Sequence, residues 1–363
     1  MSESSPAHIP DSPTTRGKLK VFLGYAAGVG KTYQMLVEAH QLKAEGLDIV
    51  IGYFEPHGRK DTIAKAEGLE SMPRRIVEHR GTRLEEMDTG AILLRHPQVC
   101  VVDEFAHTNV PGSERKKRWE DVIVLRAAGI HVLTSLNVQH IESLNDQVWQ
   151  VTGIRVRETI PDWVVQEADE VVMVDVTPRA LLHRLERGVV YAPDKAQRAL
   201  DNFFTESNLT ALRELALRQT AHQIEERRDE EQVRSPSPVV PDPGSVRPER
   251  ILLWLTAHPT TAMLIRRGRR VADYLQSACM AVAVVDHCSA DERGAIERHL
   301  NFARNMRIET FTIGGGNPAE AIADYARGNQ ITQVFVTRHV PDLHKFVRLV
   351  RDMQVTIVSE RTR

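Results

Sequence analysis

Short apolar runs separated by stretches of helical period recur along the chain. In the first part of the chain these runs are KVFL (20–23), IVIGY (49–53), VCVVD (99–103), HVLTSL (131–136) and VVMVDV (171–176). Uninterrupted buried runs that alternate with helices are typical of a parallel sheet covered on both faces. The pattern predicts a doubly wound α/β domain over residues 18–230, closed by an amphipathic helix from Asn208 to Glu230.

The same pattern restarts after a proline-rich segment. Residues 231–248 contain SPSPVVPDPGSVRP, which cannot pack a core and predicts an extended linker. Beyond it, the runs ILLWL (251–255), MAVAVVD (280–286), IETFTI (308–313), QVFV (333–336) and VTIV (355–358) predict a second, smaller α/β domain over residues 249–363. Residues 1–17 are rich in serine and proline and predict a disordered tail.

Composition excludes several classes of function. The 47 Lys and Arg against 49 Asp and Glu give a net charge of -2, which argues against direct, generic nucleic-acid binding. Every apolar run is far shorter than the roughly 18 residues of a membrane span. Cys100, Cys279 and Cys288 lack a paired spacing, which favours a reducing cytoplasm and argues against a structural metal.

The first apolar run is followed by a glycine-rich loop and then by a helical stretch. The loop contains Gly24, Tyr25, Gly28, Val29, Gly30, Lys31 and Thr32. A strand, a glycine loop and a helix N-terminus in this order aim backbone amides at phosphates. We expect Lys31 to reach the β- and γ-phosphates of ATP and Thr32 to bind Mg²⁺. The usual spacing has its first glycine at position 25, so Gly24 comes one residue early; the alternative is a turn that only joins strand and helix.

Two adjacent carboxylates end the third run. Asp103 is predicted to hold Mg²⁺ at the carboxyl edge of the sheet, and Glu104 to orient a water or accept a proton from a hydroxyl nucleophile. The alternative is that Asp103 only ends a strand and Glu104 is solvated. After them, His107 either senses the γ-phosphate or is a loop histidine with its own partner, and Asn109 is a candidate ligand contact.

Two further polar groups follow in the first domain. The cluster from Arg115 to Arg118 either binds phosphates or an acidic partner, or is the solvated start of a helix. Asn137, Gln139 and His140 place polar side chains after the fourth run, again at the carboxyl end of a strand.

These motifs together resemble the N-terminal sensor domain of the KdpD family of osmosensitive potassium-channel histidine kinases. The resemblance covers residues 17–225 and rests on GYAAGVGKTYQML, IGYFEPHGR, VVDEFAHTNVPGS with KRWEDV, NVQHIESLND and NLTALRELALR. It implies a domain that binds ATP and Mg²⁺, with Lys31 and Thr32 in the phosphate loop and Asp103 in the magnesium motif. The early Gly24 belongs to the same pattern.

For the second domain the resemblance implies a universal-stress-protein-like fold. It also implies cyclic di-AMP as a ligand, with Thr260 and Thr261 as contacts; the alternative is that these threonines cap the next helix. No glycine occurs from Gln330 to Arg363, which argues against ATP binding of the stress-protein kind. The stretch Gly314 to Pro318 offers another anion site at a helix start.

The resemblance also implies a role. We expect a cytoplasmic ATP-binding signalling protein that regulates potassium uptake or the turgor response, at the inner face of the membrane where a partner lies there. Its implied partners are subunits of the Kdp potassium pump, a separate histidine kinase or a response regulator. The chain stops before the membrane helices and kinase domain of a complete KdpD, so we expect no histidine kinase activity of its own. The alternative function is a P-loop Ser/Thr kinase or ATPase that acts on the pump or another partner.

Overall fold

The structure is a computed structural model that describes residues 16–188, 190, 203–234, 249–286 and 288–359. Its contacts divide the chain into two compact units. The first comprises Met1–Val138 and Glu167–Leu217, and the second comprises Gln139–Gln166 and Arg218–Arg363. Nearly all of the predicted tail, residues 1–15, and most of the predicted linker, residues 235–248, lie outside the described residues.

In the described part of the first unit, six parallel strands form one sheet in the order β3-β2-β6-β7-β1-β8. The strands are β1 (Leu19–Gly24), β2 (Ile49–Tyr53), β3 (Glu70–Ser71), β6 (Val99–Val102), β7 (His131–Asn137) and β8 (Glu170–Met173). All five predicted runs form strands, although β8 ends at Met173 rather than at residue 176. The strands β2 and β6 are buried along their whole length, as expected where helices cover both faces of a sheet.

A hairpin between β3 and β6 was not among the predicted elements. It consists of the antiparallel strands β4 (Arg75–His79) and β5 (Thr82–Glu86). Most of its residues are exposed, and Glu86 at its end is buried. The hairpin escapes prediction because its sequence is mostly charged and has no apolar run.

Helices follow the strands, as the pattern predicts. In chain order they are α1 (Lys31–Ala44), α2 (Lys60–Ala66), α3 (Thr89–Arg95), α4 (Arg118–Ala127), α5 (Asn145–Thr152), α6 (Asp162–Gln166), α7 (Pro178–Glu186) and α8 (Glu206–Arg234). The predicted closing helix is α8, which is longer than expected and includes residues 231–234 of the predicted linker. Within the described ranges, no helix combines the length and the apolar character that crossing a bilayer requires.

The second unit has a parallel sheet of its own, with the described strands in the order β11-β10-β9-β12-β13. These strands are β9 (Arg250–Leu255), β10 (Ala278–Val284), β11 (Glu309–Ile313), β12 (Gln333–Thr337) and β13 (Gln354–Val358), and the helices between them are α9 (Thr261–Tyr274), α10 (Ala290–Asn305), α11 (Pro318–Gly328) and α12 (Leu343–Leu349). Alternate residues of a strand face opposite sides of its sheet. Leu253 therefore packs in the core of one face, and its neighbours Leu252 and Trp254 pack in the core of the other.

The segment Gln139–Gln166 separates β7 from β8 in the sequence but groups with the second unit. Arg266 on α9 donates hydrogen bonds to Glu142 at 2.7 Å and to Asp146 at 3.1 Å. Arg270, one turn further along α9, donates to the backbone oxygen of Ser143. The structure thus divides the chain differently from the contiguous domains 18–230 and 249–363, since arginines remote in sequence hold this segment.

Asp162 of the same segment is buried and gives a pH-dependent prediction. Ser143 donates to it from its amide at 3.1 Å and from its hydroxyl at 2.5 Å. Burial, aided by the nearby charges of Asp273 and Glu142, raises the pKa of Asp162 to about 6, although the hydrogen bonds from Ser143 act against this shift. The folded state therefore favours the neutral, protonated form of Asp162. Protonation of Asp162 contributes fully to the free energy of unfolding below pH ~4, and this contribution is lost as the pH rises through about 6.

We therefore expect Asp162→Asn to become more stable relative to the wild type as the pH rises from 4.5 to 7.5. The relative change should be at most roughly 3 kcal/mol, the value of a two-unit pKa shift. Thermal and urea unfolding of both chains at the two pH values measures it, with the exposed Asp324→Asn as control. A stability difference that is independent of pH contradicts the prediction.

Candidate functional site

The loop between β1 and α1 has a conformation that requires its glycines. Gly28 has a φ of 89° and Gly30 a φ of 108°, both in the left-handed region that side chains disfavour. Lys31 and Thr32 then begin α1, whose first turn contains no acidic residue. The loop thus leads into the positive end of a helix dipole, an arrangement that favours an anion.

The displaced first glycine has a structural reason. A Cβ atom at Gly24 would lie 2.8 Å from Cδ of Lys31 and 2.6 Å from Cγ2 of Val29, so only glycine leaves room for the lysine side chain. Tyr25, at the position where the usual spacing has glycine, is fully buried, and its hydroxyl donates to the backbone oxygen of Val176 at 3.0 Å. The glycine is therefore needed where the lysine passes, one residue before the usual position.

The lysine of the loop is held at the edge of the sheet. Lys31 is only 8% exposed. Its ammonium group donates to the backbone oxygen of Ala26 at 3.2 Å and to Oδ1 of Asn137, the last residue of β7, at 2.5 Å. Burial lowers the pKa of Lys31 to about 8, and the opposite charge of Asp103 works against that shift. A phosphate group beside this ammonium would compensate its loss of hydration.

Asp103 follows β6 and faces the start of α1. Oγ1 of Thr32 donates to its carboxylate at 3.2 and 3.3 Å, and Oγ of Ser135 on β7 donates to Oδ1 at 2.5 Å. The side chain is 2% exposed, and burial raises its pKa. A carboxylate and a hydroxyl oxygen suit Mg²⁺, which takes few protein ligands beside phosphate and water. Thr32 and Asp103 therefore lie together and could supply oxygen ligands to such an ion, and Mg²⁺ binding by this pair stays a prediction.

Glu104 stands at a sharp turn of the chain. Its φ is 55°, which is unusual for a residue other than glycine, and the turn ends the alternation of the strand. Its carboxylate lies 2.7 Å from Nε2 of His57, another residue with positive φ. The hydrogen bond lowers the pKa of Glu104 and raises that of His57. The chain therefore turns at Glu104, which is the condition for the predicted role of this residue as a base. In this structure its carboxylate is hydrogen-bonded to His57.

The structure places the predicted contacts His107 and Asn109 in other interactions. His107 donates to Glu86 at 3.0 Å and stacks on Tyr53 with ring centroids 6.4 Å apart. The side-chain Nδ2 of Asn109 donates to Asp121 on α4 at 2.7 Å. Of the two alternatives for His107, the structure therefore favours the loop histidine with its own partner.

The basic cluster 115–118 is not a free cationic surface. Arg118 is completely buried, lies over the ring of Tyr53 at 3.5 Å and donates to Glu86 at 3.1 Å and to the backbone oxygen of Asp103 at 3.3 Å. Arg115 binds Asp121 at 3.0 Å. The sequence predicted either a phosphate-binding cluster or a solvated helix start, and neither includes a buried arginine. The contacts of Arg118 could not be predicted because Glu86, Tyr53 and Asp103 belong to other elements.

A cavity of about 890 Å³ lies beside the loop. Its walls include residues 28–30 and 32–34, residues 58–62, residues 173–176 and Arg184. This volume is in the range of small-molecule sites. Sequence analysis gave no role to two arginines that line this cavity: Arg59 ends the motif IGYFEPHGR, whose contact with a ligand nothing local indicates, and Arg184 belongs to no motif.

In the second unit, the two candidate threonines hydrogen-bond within their own loop. The hydroxyl of Thr261 donates to the backbone oxygen of Thr256 at 3.1 Å, and that of Thr260 lies 2.9 Å from Nδ1 of His258. Thr260 occupies the N-cap position of α9 without a side-chain capping bond, which differs from the capping alternative. Cyclic di-AMP binding by this pair stays a prediction.

The glycine stretch before α11 is engaged by the protein itself. The amide of Gly315 donates to Asp286 at 2.8 Å, and the side-chain oxygen of Asn317 caps α11 by accepting from the amide of Glu320 at 3.2 Å.

Among the residues that the structure describes, no three or more His, Cys, Asp or Glu side chains are arranged to hold a metal ion.

Comparisons with known proteins bear on the first unit and on the whole chain. The family model described as "KdpD: Osmosensitive K+ channel His kinase sensor domain" matches residues 15–224. The putative sensor protein KdpD of Synechocystis is 46% identical over 336 residues, covering 92% of this chain and 88% of that protein. The sensor protein KdpD of Escherichia coli is 44% identical over 331 residues, but the match spans only 36% of that protein.

A solved structure of a universal stress protein in complex with cAMP is also similar. It covers 30% of this chain and 95% of its own, at 14% identity and a TM-score of 0.24. A TM-score this low does not establish a shared fold. The α/β architecture of the second unit is instead shown by its own parallel sheet and helices. The resemblance inferred from the motifs is confirmed: the family model covers more than half of the chain and the Synechocystis relative is matched over 88% of its length, so this chain belongs to the KdpD sensor family.

Proposed function

We propose that the first unit binds ATP with Mg²⁺ through a phosphate-binding loop from Gly24 to Thr32. The observation that carries the proposal is the convergence of Lys31, Thr32 and Asp103 at one edge of the sheet, with Thr32 Oγ1 3.2 Å from Asp103 Oδ1. Two remote parts of the chain meet there, the loop with Lys31 and Thr32 and the end of β6 with Asp103, and two of the three side chains carry opposite charges that the protein buries. Burial of charged groups is costly, so their retention here supports a ligand-binding role.

Each residue has a separate task in this proposal. The loop amides and the ammonium group of Lys31 bind the phosphate oxygens, and Thr32 and Asp103 supply oxygen ligands to the ion. The bound ion neutralises charge on the β- and γ-phosphates. The cavity beside the loop is large enough to accept the remainder of a nucleotide.

A second candidate function is phosphoryl transfer from the same site, to water or to a protein Ser or Thr. The positive φ of Glu104 favours it, because it ends the alternation that would direct this side chain away from Asp103, and the charge of Glu104 acts on both Asp103 and Lys31. Glu104 would accept the proton of the attacking hydroxyl once its hydrogen bond to His57 opens. The Kdp pump or another partner would be the acceptor protein.

In the cell, we propose that the nucleotide site serves signalling linked to potassium. The family is that of a sensor domain, and the relatives are named sensor proteins. The partners would be a response regulator, a separate histidine kinase or subunits of the Kdp pump. The proposal places the chain in the cytoplasm, and at the inner face of the membrane where its partner lies there.

Lys31→Ala tests the binding proposal. Loss of the buried ammonium group removes a charge-assisted hydrogen bond to phosphate, so we expect ATP affinity to fall roughly 10- to 100-fold. Isothermal titration with Mg-ATP measures the affinity, and circular dichroism confirms that the fold is retained. The exposed Lys18→Ala in the same unit is the matched control. Equal affinity of Lys31→Ala and the wild type would show that the loop does not bind the nucleotide.

A pair of substitutions separates binding from chemistry. Asp103→Asn should remove most of the Mg²⁺ dependence of ATP binding, because an amide is a poor ligand for this ion. Glu104→Gln should leave the affinity nearly unchanged and, if the protein transfers phosphate, lower turnover on the order of 100-fold. Titrations with Mg²⁺ and with EDTA, run beside assays of ATP consumption and protein phosphorylation, distinguish the two effects. Wild-type turnover that Glu104→Gln does not change excludes Glu104 as the general base.

A further inference from the structure

The guanidinium group of Arg184, on α7, binds the backbone of the glycine loop. Its Nη1 donates hydrogen bonds to the backbone oxygens of Gly28 and Val29, each at 3.2 Å. These oxygens belong to the stretch in which Gly28 and Gly30 have positive φ. The contact thus joins α7 to the part of the loop with the greatest conformational freedom.

The two contacts fix the direction of two amide groups. In a trans peptide unit the C=O and N–H bonds point to opposite sides. The oxygen of Gly28 shares its peptide unit with the amide of Val29, and the oxygen of Val29 shares its unit with the amide of Gly30. Because both oxygens are held toward Arg184, both N–H groups point to the opposite side of the loop, where they can donate to a phosphate.

The helix α7 holds the arginine in place. The hydroxyl of Thr177 caps its first turn, and Leu181 and Leu185 are fully buried. Leu181 also packs against the loop, since a Cβ atom at Gly28 would lie 3.1 Å from its Cδ1. Arg184 therefore extends from a fixed helix, whereas an arginine on a free surface pays conformational entropy for each contact.

Without the arginine, the peptide units of the glycine stretch can rotate. Only a fraction of loop conformations would then present both amides in the binding direction, and the apparent affinity of an anion would fall by that fraction. Pre-orientation of donors avoids this cost at the moment of binding.

We propose that Arg184 is a positioning residue for phosphate binding: it holds the carbonyl groups of Gly28 and Val29 so that the amides of Val29 and Gly30 are already directed to the phosphates. The inference rests on the proposed function, because the ligand is the phosphate chain of the nucleotide. The inference adds to the proposed phosphate site a residue that lies about 150 positions after the loop in the sequence.

The test compares Arg184→Ala, Arg184→Lys and the control Arg179→Ala. Arg179 lies on the same helix, and its side chain is 81% exposed and bonded to Glu206. Amide NMR signals of Val29 and Gly30 are recorded first without any ligand. Stopped-flow with a fluorescent ATP analogue then gives the rate constants of binding, and titration with ATP and with inorganic triphosphate gives the affinities.

We expect Arg184→Ala to shift and broaden both amide signals and to lower the association rate constant about tenfold with a dissociation rate constant near that of the wild type. Affinities for ATP and for triphosphate should fall by the same factor, Arg184→Lys should recover part of the loss, and Arg179→Ala should match the wild type.

Unchanged amide signals in Arg184→Ala overturn the inference. So does a loss confined to the dissociation rate constant, which would make Arg184 a direct ligand contact. If the amide signals respond but the wild type binds neither ATP nor triphosphate, the proposed function fails, and the positioning of the loop amides by Arg184 is supported on its own.

Discussion

The burial of Asp103 at the carboxyl edge of the first sheet is the constraint on which the site depends. A carboxylate that loses its hydration needs hydrogen-bond donors or positive charge nearby. The strand β7, which lies between β1 and β6, supplies a hydrogen-bond donor to the carboxylate and holds the nearby lysine. Its Ser135 donates to Asp103, and its Asn137 accepts from Lys31 of the loop. The strand order therefore decides which side chains can stabilise the acid and the base of the site.

A buried ion pair between Arg118 and Glu86 also supports the position of Asp103. Arg118 joins Glu86, at the end of the hairpin, to the backbone oxygen of Asp103. His107 binds the same glutamate and stacks on Tyr53, which also lies under the guanidinium group. A buried ion pair adds little stability of its own, but loss of one partner leaves an uncompensated charge. The pair thus ties the hairpin and the loop after β6 to the position of the carboxylate.

The site combines rigid and strained parts. Asp103 and Lys31 are held by several hydrogen bonds each and are nearly inaccessible, whereas Glu104 and His57 are partly exposed and both adopt positive φ. Such conformations cost on the order of 1–3 kcal/mol each and persist at positions fixed by their surroundings. The contrast separates the buried, hydrogen-bonded side chains of the proposed binding region from a partly exposed carboxylate that a histidine holds.

The sequence by itself determined the two α/β sheets, the glycine loop and the place of Asp103 at the carboxyl edge of the first sheet, because each follows from local patterns: buried runs, a strand-loop-helix order and a carboxylate at a strand end. The tertiary structure decided the rest. Ser135 and Arg184 reach the site from remote elements, the side chain of Arg118 is buried although its neighbours in the sequence are also basic, and residues 139–166 group with the second unit. No local pattern could show these features, since the energy of a single polar contact depends on which strands and helices are brought together and on how completely water is excluded from them.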